Sequence, residues 1–417
     1  MLSLKNCLEN KNVIVTAETG SGKSLCYIIP VMNKILNQQD KYNQIKQDIN
    51  IPINNIQKGA IILAPTKELC AQIYAMIRAL DKKNRIFIQR MGSIQQIAPI
   101  SSNEYSQEQL RQMSFQNVVN GVNWNNTDIL VSTPSQLEQI LQVKDKQDPF
   151  EVNPATIVID EVDLLLGEST LSKSTMDILK RFSFAQNKIF GKENLERQFI
   201  LAGATLPKKI KKHNTKDLFN LWFSQPYFIE SENFHKIPPT IEFDNIDIDD
   251  FLAEYEDLTV QDLLVKEIQK SKSKKIIVFC DNYNTVQQIV DHLEQHKITS
   301  APFYGSLSTE ARMNILNDFH IGQFQVLVAT ELVSRGHCFE GVEHIIQFDF
   351  PKDAVSFLHR VGRTGRLGEK GKVTNFIREK DQFFFSKISQ VLQNRVSIEQ
   401  AFSRKRSLKK QAEKQEY

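Results

Sequence analysis

The most informative segment of this chain is Ala17-Glu18-Thr19-Gly20-Ser21-Gly22-Lys23-Ser24. An apolar segment at residues 13–15 precedes it, and a helical pattern over residues 25–36 follows it. A strand, a glycine-rich turn and a helix in this order predict a phosphate-binding loop. Gly20 and Gly22 let backbone amides turn towards phosphate oxygens, and the helix N-terminus contributes the positive end of its dipole. The alternative is a glycine turn that binds no ligand.

Two side chains at the end of this loop predict nucleotide and metal binding. Lys23 is placed to reach the β- and γ-phosphates of a nucleotide, and the Ser24 hydroxyl is placed to ligate Mg²⁺. The predicted cofactor-binding site is therefore residues 17–24, with Ser24 as one metal ligand.

An acidic pair, Asp160 and Glu161, follows the hydrophobic segment at residues 156–159. Asp160 at a strand end is suited to hold Mg²⁺ through water, and Glu161 is suited to polarise an attacking water. Two acids after a strand also suit an ordinary helix N-terminus, where they complement the dipole. The phosphate loop upstream favours the catalytic interpretation.

A basic cluster, His359-Arg360-Val361-Gly362-Arg363-Thr364-Gly365-Arg366, lies in the second half of the chain. So many charged groups are costly to bury in a core. Arg363 and Arg366 carry planar donor forks that suit a γ-phosphate. We therefore predict catalytic roles for His359, Arg363 and Arg366, against the alternative of a solvated basic face.

Short apolar segments alternate with helical patterns along the chain, which predicts an α/β fold of doubly wound parallel sheets. The predicted strands are residues 13–15, 60–63, 128–131, 156–159 and 199–202 in a first set, and 275–279, 325–328 and 344–348 in a second. Pro238-Pro239 lies between the sets, and consecutive prolines continue neither a helix nor a central strand. We predict a first lobe at 1–230, a linker at 231–240, a second lobe at 241–392 and a basic tail at 393–417. Polar composition predicts surface insertions at 37–58 and 93–126.

Composition limits the classes of function. The 417 residues are 41% hydrophobic and 24% charged, as in an ordinary globular protein, and no apolar run is long enough for a membrane span. The five cysteines are dispersed, which favours a reducing, intracellular compartment. With a net charge of +3, nucleic acid would have to be bound by local basic groups. The tail at 404–410 is one candidate, and a solvated, mobile end is the alternative.

These motifs together resemble those of the DEAD-box RNA helicases, over nearly the whole chain from Val13 to about Phe376. The resemblance also rests on Pro65-Thr66-Lys67-Glu68-Leu69, Thr133-Pro134, Asp160-Glu161-Val162-Asp163, Gly203-Ala204-Thr205, Val278-Phe279-Cys280, Thr330 and Ser334-Arg335-Gly336. It implies two RecA-like lobes, ATP and Mg²⁺ as cofactors, and RNA as the partner.

The resemblance also implies a division of labour among the motifs. Residues expected to bind and hydrolyse Mg-ATP are Lys23, Ser24, Asp160 and Glu161, with Arg363 and Arg366 completing the site when the lobes close. Residues expected to contact the RNA are Pro65, Thr66, Lys67, Glu68, Gly92, Thr133, Pro134, Thr330, Arg335 and Gly336. Contacts to phosphate and sugar carry no base information, so RNA recognition is expected to be largely independent of sequence.

Several positions depart from the family pattern. Val162 replaces an alanine, Gly203 replaces a serine that would offer a hydroxyl to Asp163, and Cys338 replaces an aspartate. Loss of the hydroxyl and the carboxylate predicts duplex unwinding that is weaker than the ATPase activity would suggest. The family's adenine-reading segment is not recognisable in residues 1–11, so adenine selection is expected to be weakened or to depend on residues outside this sequence.

The favoured function is an ATP-dependent RNA helicase that remodels RNA or RNA–protein complexes, with a monomeric core and no membrane partner. One alternative is a weakly active or inactive RNA-binding scaffold within a ribonucleoprotein, such as a ribosome or its assembly intermediate. Another is a helicase or translocase that acts on DNA. Stimulation by RNA and by DNA of equal length distinguishes the last, because only RNA carries 2′-hydroxyls.

Overall fold

The computed structural model describes residues 2–17, 21–45, 59–91, 127–144, 154–167, 171–183, 197–206, 209–210, 213–231, 237–334, 339 and 341–394. The chain divides into two compact units, with the boundary between Glu230 and Ser231. Each unit contains one parallel sheet with helices, so the predicted α/β fold with two parallel-sheet lobes is confirmed. Residues 232–236 of the predicted linker and 395–417 of the predicted tail lie outside the described residues, and the predicted domain bounds stay a prediction.

The first unit contains a parallel sheet with the strand order β3-β4-β2-β5-β6-β1-β9 among the described residues. Its strands are β1 (Val13–Thr16), β2 (Ala60–Leu63), β3 (Ile88–Arg90), β4 (Ile129–Ser132), β5 (Thr156–Ile159), β6 (Gln198–Gly203) and β9 (Tyr227–Glu230). The antiparallel pair β7 (Lys209–Ile210) and β8 (His213–Asn214) stands apart from this sheet. The helices are α1 (Leu2–Leu8), α2 (Lys23–Ile45), α3 (Lys67–Leu80), α4 (Pro134–Lys144), α5 (Val162–Leu166), α6 (Ser172–Phe182) and α7 (Thr215–Trp222).

Helices cover both faces of this sheet, which is why its central strands are continuous apolar segments. Strands β1, β2, β4 and β5 are buried at every position. Because side chains alternate between the two faces of a strand, neighbouring residues enter different cores. Ile61 packs in a core that α4, α5 and α6 also line, whereas Ile62 packs in the opposite core with α2 and α3.

The second unit repeats this arrangement with the strand order β10-β15-β14-β11-β13-β12, again all parallel. Its strands are β10 (Ile241–Asp247), β11 (Ile276–Phe279), β12 (Ser300–Phe303), β13 (Val326–Ala329), β14 (His344–Gln347) and β15 (Gly371–Ile377). Its helices are α8 (Ile248–Glu254), α9 (Val260–Lys270), α10 (Tyr283–Gln295), α11 (Thr309–Ile321), α12 (Ala354–Val361) and α13 (Gln382–Asn394). Ile277 packs with α11–α13 on one face, and Ile276 packs with α8–α10 on the other.

Every strand predicted from an apolar segment is confirmed to within one residue at either end. In the two parallel sheets, the strands that were not predicted are β3, β9, β10, β12 and β15, and the short antiparallel pair β7 and β8 was not predicted either. The first four of these form the edges of the two sheets among the described residues. An edge strand has one neighbour and a more exposed side, so its sequence is less apolar, as the partly exposed β9 and β10 illustrate.

The predicted surface insertion at residues 37–58 begins within a helix, because α2 continues to Ile45. Residues 46–58 and the second predicted insertion, 93–126, lie outside the described residues. Cys7, Cys70 and Cys280 are buried thiols, as expected for core residues, and Cys338 lies outside the described part of the chain. None of the described helices is long and apolar enough to cross a membrane.

His344 is a fully buried titratable group in the second unit. Its Nδ1 lies 3.2 Å from Ser271 Oγ and its Nε2 lies 2.8 Å from Thr374 Oγ1. Burial lowers the pKa of His344 to about 4. The imidazole is therefore neutral in the folded protein at pH values where the unfolded chain already binds a proton.

This depressed pKa predicts that the second unit loses stability as the pH falls from about 6.5 to about 4. The unfolded histidine titrates near pH 6.5, so the loss reaches at most about 3 kcal/mol once the pH falls to the folded pKa. Urea unfolding of the full chain at pH 7 and pH 5, followed by far-UV circular dichroism, measures it. His344→Gln should reduce the difference between the two pH values, and His320→Gln, an exposed histidine on α11, should not. An equal pH dependence in the parent and His344→Gln would contradict the prediction.

Candidate nucleotide and nucleic-acid sites

The predicted nucleotide-binding residues follow three neighbouring strands of the first sheet. β6 pairs with β1 on one side and with β5 on the other. In the register, Thr16 lies beside Gly203 and Ile159 lies beside Leu201, so these strand ends lie at one edge of the sheet. The carboxyl edge of a parallel sheet is the usual ligand site of open α/β folds.

The phosphate-binding loop is described at both of its ends. Gly22 has a φ of +85°, a left-handed conformation that glycine adopts without the steric penalty of a side chain. Lys23 then begins α2, and its side chain is 9% exposed. Ala17 is buried at the end of β1, and Ser21 is exposed. The predicted ligand residues Glu18, Thr19 and Gly20 lie outside the described residues.

Asp160 is held at the end of β5 by two hydrogen bonds. Its Oδ2 accepts from the Tyr27 hydroxyl at 2.8 Å, and its Oδ1 accepts from the backbone amide of Glu161 at 3.0 Å. Glu161 itself adopts a left-handed conformation with φ 51° and ψ 53° where the strand turns into α5. Such a conformation in a residue other than glycine is strained by on the order of 1–3 kcal/mol and is commonest at functional sites.

The charge of Asp160 depends on what surrounds it. Burial, followed by the negative charge of Glu161, raises the pKa of Asp160 above its usual range. The Tyr27 hydroxyl and the Lys23 ammonium act in the opposite direction. A divalent cation would offset the repulsion between the adjacent acids, and Mg²⁺ prefers oxygen ligands. The donor set therefore fits Mg²⁺.

Tyr27 connects the two predicted metal ligands. It lies one turn into α2 and is fully buried, its hydroxyl donates to Asp160 Oδ2, and the Ser24 side chain is close enough to influence the pKa of Tyr27. Its position alone does not indicate this role, because an aromatic residue at this helix position is equally expected in the core. The sequence feature that could have indicated this role is the position of Tyr27 in the helical turn that starts at Lys23. That turn is expected to lie close to an acid at a strand end.

The departures at Val162 and Gly203 lie against each other. A Cβ atom built on Gly203 would lie 2.7 Å from Val162 Cγ1, 3.1 Å from Thr205 O and 3.3 Å from Asp163 Oδ1. Asp163 is nevertheless held, because its Oδ2 accepts from both the backbone amide and the hydroxyl of Thr205 at 3.0 Å. The two strand-end segments therefore remain joined, and the larger valine fills the space that a serine would need.

The predicted RNA-contacting residues of the first unit follow strands on the other half of the same edge. Leu63 of β2 pairs with Ser132 of β4, so the segments that begin at Pro65 and Thr133 are neighbours. The Thr66 hydroxyl accepts from the backbone amide of Leu69 and caps α3. Gly92 follows β3 and lies outside the described residues.

The other side chains of these segments differ in exposure. Lys67 is exposed, whereas Glu68 is 1% exposed and points into the fold. Pro134 is the first residue of α4, a position where its missing amide hydrogen leaves no helix hydrogen bond unmade. The Thr133 hydroxyl donates to Gln136 Oε1 at 2.9 Å.

The basic cluster of the second unit is more buried than expected. Arg360 is 3% exposed and donates from Nε and Nη2 to Glu331 Oε2, at 2.7 Å in each case. Its Nη1 donates to the backbone oxygen of Asp349 at 2.7 Å. Its guanidinium also lies 5.1 Å from the ring centroid of Phe279. The expectation that these groups avoid the interior is therefore wrong for His359, Arg360 and Arg363, and Glu331 neutralises Arg360 there.

The remaining predicted residues of this unit lie after β13, on α12 and in the segment that follows α12. His359 and Arg363 are each 3% exposed, and Arg363 Nε donates to the backbone oxygen of His359. Arg366 is half-buried, and its Nε donates to the backbone oxygen of Gly362. Thr330 follows β13, and its amide donates to the backbone oxygen of Phe303 at 3.1 Å. Arg335 and Gly336 lie outside the described residues.

Two parallel-sheet units, the first with a phosphate loop after β1 and an acidic pair after β5, define the helicase-type class of P-loop proteins. The family model "DEAD/DEAH box helicase" matches residues 2–213, and the model "Helicase conserved C-terminal domain" matches residues 259–368. The chain belongs to the DEAD/DEAH box helicase family.

Curated relatives agree with this assignment. The chain is 27% identical over 395 residues to DEAD-box ATP-dependent RNA helicase 39 of Arabidopsis thaliana, which covers 94% of this chain and 56% of the relative. It is 27% identical over 389 residues to DEAD-box ATP-dependent RNA helicase CshA of Bacillus subtilis, covering 93% and 66%. The chain thus spans less than two thirds of the length of either relative.

Solved structures share the fold. Mss116p bound to ssRNA and AMP-PNP matches with a TM-score of 0.69 and 22% identity, over 94% of this chain and 71% of that one. S. cerevisiae Dbp5 bound to RNA and ADP BeF3 matches with a TM-score of 0.64 and 18% identity, over 92% and 83%. RecA-like lobes of the DEAD-box type are thereby confirmed.

Removing the Tyr27 hydroxyl tests the connection between the predicted metal ligands. Tyr27→Phe keeps the ring in the core, so folding should be retained. Changes to groups that support a metal ligand weaken metal affinity by about 10–100-fold, and a loss near the lower end is expected for Mg²⁺ in the presence of nucleotide. Mg²⁺ titrations against a fluorescent adenine nucleotide give the midpoint. Tyr74→Phe, on α3, is the control, and a midpoint equal to the parent's in Tyr27→Phe would rule out this role.

The contact between positions 162 and 203 predicts strong coupling between substitutions there. Gly203→Ser should lower the free energy of unfolding by about 1–3 kcal/mol through overpacking against Val162. The double variant Val162→Ala/Gly203→Ser should recover part of that loss, with an interaction energy of about 0.5–3 kcal/mol in a double-mutant cycle. Urea unfolding supplies the four energies. Gly203→Ala should show the same coupling with Val162→Ala, because its Cβ alone meets Val162. Additive effects of the substitutions would contradict a steric contact between the two positions.

Proposed function

We propose that this chain is an ATP-dependent RNA helicase that binds RNA through its backbone and uses ATP hydrolysis to remodel RNA or RNA–protein complexes. The observation that carries the proposal is the arrangement at the edge of the first sheet. There Lys23, Asp160 and Thr205 follow three neighbouring strands, joined by the hydrogen bonds of Tyr27 and Asp163.

The nucleotide half of this edge accounts for ATP binding and hydrolysis. The loop at residues 17–24 and the Lys23 ammonium bind the phosphates. Ser24 and Asp160 hold Mg²⁺, which neutralises phosphate charge when bound. Glu161 is next to Asp160 and is not a partner in the hydrogen bond between Tyr27 and Asp160. Its carboxylate orients and polarises the attacking water.

The other half of the same edge accounts for RNA binding. The segments that begin at Pro65 and Thr133 lead into the starts of α3 and α4, whose N-terminal amides suit phosphate oxygens. The exposed Lys67 adds a positive charge there. Such contacts carry no base information, so affinity should depend little on RNA sequence. The roles predicted for Gly92, Thr330, Arg335, Gly336, His359, Arg363 and Arg366 stay predictions.

Coupling between the two halves runs through Asp163 and Thr205. The weaker unwinding expected from Gly203 rested on the absence of a hydroxyl partner for Asp163. Two hydrogen bonds from Thr205 hold Asp163 in place, which supports efficient coupling at this position. The expectation for Cys338 stays a prediction, because that residue lies outside the described part of the chain.

The relatives support this proposal at the level of their names and ligands. The two curated relatives are named ATP-dependent RNA helicases, and the structures of Mss116p and Dbp5 hold RNA together with a nucleotide analogue. The chain spans only part of the curated relatives, so its RNA target, its ribonucleoprotein partners, its compartment and its monomeric state stay predictions.

Two substitutions should abolish ATP hydrolysis by different routes. Lys23→Ala should weaken nucleotide binding, because the phosphates lose their charge partner. Glu161→Gln should leave binding intact while the hydrolysis rate falls by about 10²–10³-fold, the range for removal of one preorganised catalytic group. RNA-stimulated phosphate release and nucleotide affinity, measured on the same preparations, separate the two effects. The exposed Lys173→Ala and Glu254→Gln are matched charge controls.

The same assay identifies the nucleic acid. Single-stranded RNA should stimulate hydrolysis by the parent more than DNA of the same sequence, because 2′-hydroxyls are available only in RNA. Normal turnover in Glu161→Gln would contradict the catalytic role of Glu161. Equal stimulation by RNA and DNA would leave an ATPase but contradict RNA as its specific partner.

A further inference from the structure

Three side chains with metal-binding chemistry meet on the second unit, away from the carboxyl edge of its sheet. His292 lies in the last turn of α10, His296 caps the end of that helix, and Asp262 lies in the first turn of α9. Their ligand atoms all lie within 4.8 Å of one another. None of the residues predicted to bind nucleotide or RNA belongs to this group.

The spacing of the two histidines places them on one face of α10. Residues four apart in a helix stack one turn above the other. Their ring centroids are 4.6 Å apart. A pair of histidines at this spacing is a recurrent way for a helix to bind a transition metal, with a third ligand supplied by another element. Asp262 of α9 supplies a carboxylate in that position.

Hydrogen bonds already orient each of the three groups. The Nδ1 of His296 lies 2.9 Å from the backbone oxygen of His292, which fixes the ring and leaves Nε2 to bind a metal. The Asp262 Oδ2 accepts from the amide and the hydroxyl of Thr259 in a capping box, at 2.8 Å and 2.6 Å. The other carboxylate oxygen, Oδ1, points to His292 Nε2 at 3.0 Å.

The electrostatics of the cluster also favour a cation. Both histidines lie at the C-terminal, negative end of the dipole of α10. The Asp262 carboxylate, which is 25% exposed, faces the His292 imidazole and supplies the negative charge of the cluster. The 3.0 Å between Oδ1 and Nε2 is close to the spacing of two ligands bound at about 2.0–2.2 Å to one tetrahedral ion. A shift of a few tenths of an ångström between these two atoms would bring them to that spacing, and the His296 ligand atom lies within 4.8 Å of both.

We propose that Asp262, His292 and His296 form a binding site for a divalent transition-metal ion of the Zn²⁺ class. Two imidazoles and one carboxylate provide three ligands, and water completes the coordination. The ion would join α9 to α10 and stabilise the second unit by binding only its folded form. Hard ions such as Mg²⁺, which prefer oxygen ligands, should be excluded by the two nitrogen ligands.

The competing explanation is an ion pair between protonated His292 and Asp262 with no metal. That pair would need only His292, so His296 would be dispensable. A metal site needs all three residues, and it requires His292 to be deprotonated. The dependence on His296 therefore distinguishes the two explanations.

Zn²⁺ titration of the full chain tests the proposal, with a chromogenic chelator as competitor, Mg²⁺ present and nucleotide omitted. The parent should bind one equivalent of Zn²⁺. His296→Ala should bind it more than about 100-fold more weakly, because loss of a ligand should exceed the 10–100-fold effect of changes to groups that only support a ligand. Asp262→Asn, which retains a cap acceptor for α9, should also weaken binding. His213→Ala and His320→Ala, at exposed histidines, should bind as the parent does.

Two further readouts show where and how the ion binds. Co²⁺ should give the intense visible absorption of a four-coordinate site in the parent and lose it in His296→Ala. Zn²⁺ should slow amide hydrogen exchange in α9 and α10 of the parent and leave His296→Ala unchanged. Equal Zn²⁺ affinity in the parent and His296→Ala would overturn the proposal. Slower exchange only in parts of the chain other than α9 and α10 would also overturn it. The experiment does not depend on the ATP site, so its outcome is independent of the proposed function.

Discussion

In the first unit, β1, β5 and β6 run parallel and in register, so the segments that follow them emerge at one edge of the sheet. Lys23, Asp160 and Thr205 are near one another because of this pairing, although they are far apart in the sequence. Parallel strands need helical crossovers, which cover both faces and bury the strands completely. The hydrophobic cores therefore fix the strand positions, and the strand positions fix the polar groups at the edge.

The stabilising cores offset unfavourable terms that are concentrated at that edge. Asp160 is buried beside another acid, and Glu161 adopts a left-handed backbone conformation. Both features oppose folding, and both lie where a phosphate-bound cation would bind. Such a cation would replace the repulsion between the two acids with attraction to its own positive charge. Tyr27 moderates the first of them, because its hydroxyl gives the buried carboxylate a hydrogen-bond donor from within the helix of the phosphate loop.

The sequence predicted most of the fold and supplied the candidate site residues, because both depend on local patterns. Central strands are short apolar segments, whereas edge strands such as β9 and β10 carry polar residues and were missed. The phosphate loop and the acidic pair are contiguous motifs, so their order along the chain was enough to find them. Partners from distant segments could not be found this way: Tyr27 and Asp160 are 133 positions apart, and Glu331 neutralises Arg360 from 29 positions away.

The contact between Val162 and Gly203 has an evolutionary consequence. In a lineage with the family's alanine and serine at these positions, the order of the two replacements matters. Valine first would crowd the serine and strain the connection between β5 and β6, whereas glycine first would leave only a small void that valine later fills. Once both replacements are present, reversing either one alone passes through a less stable protein. Homologues that combine valine at position 162 with serine at position 203 should therefore be rare.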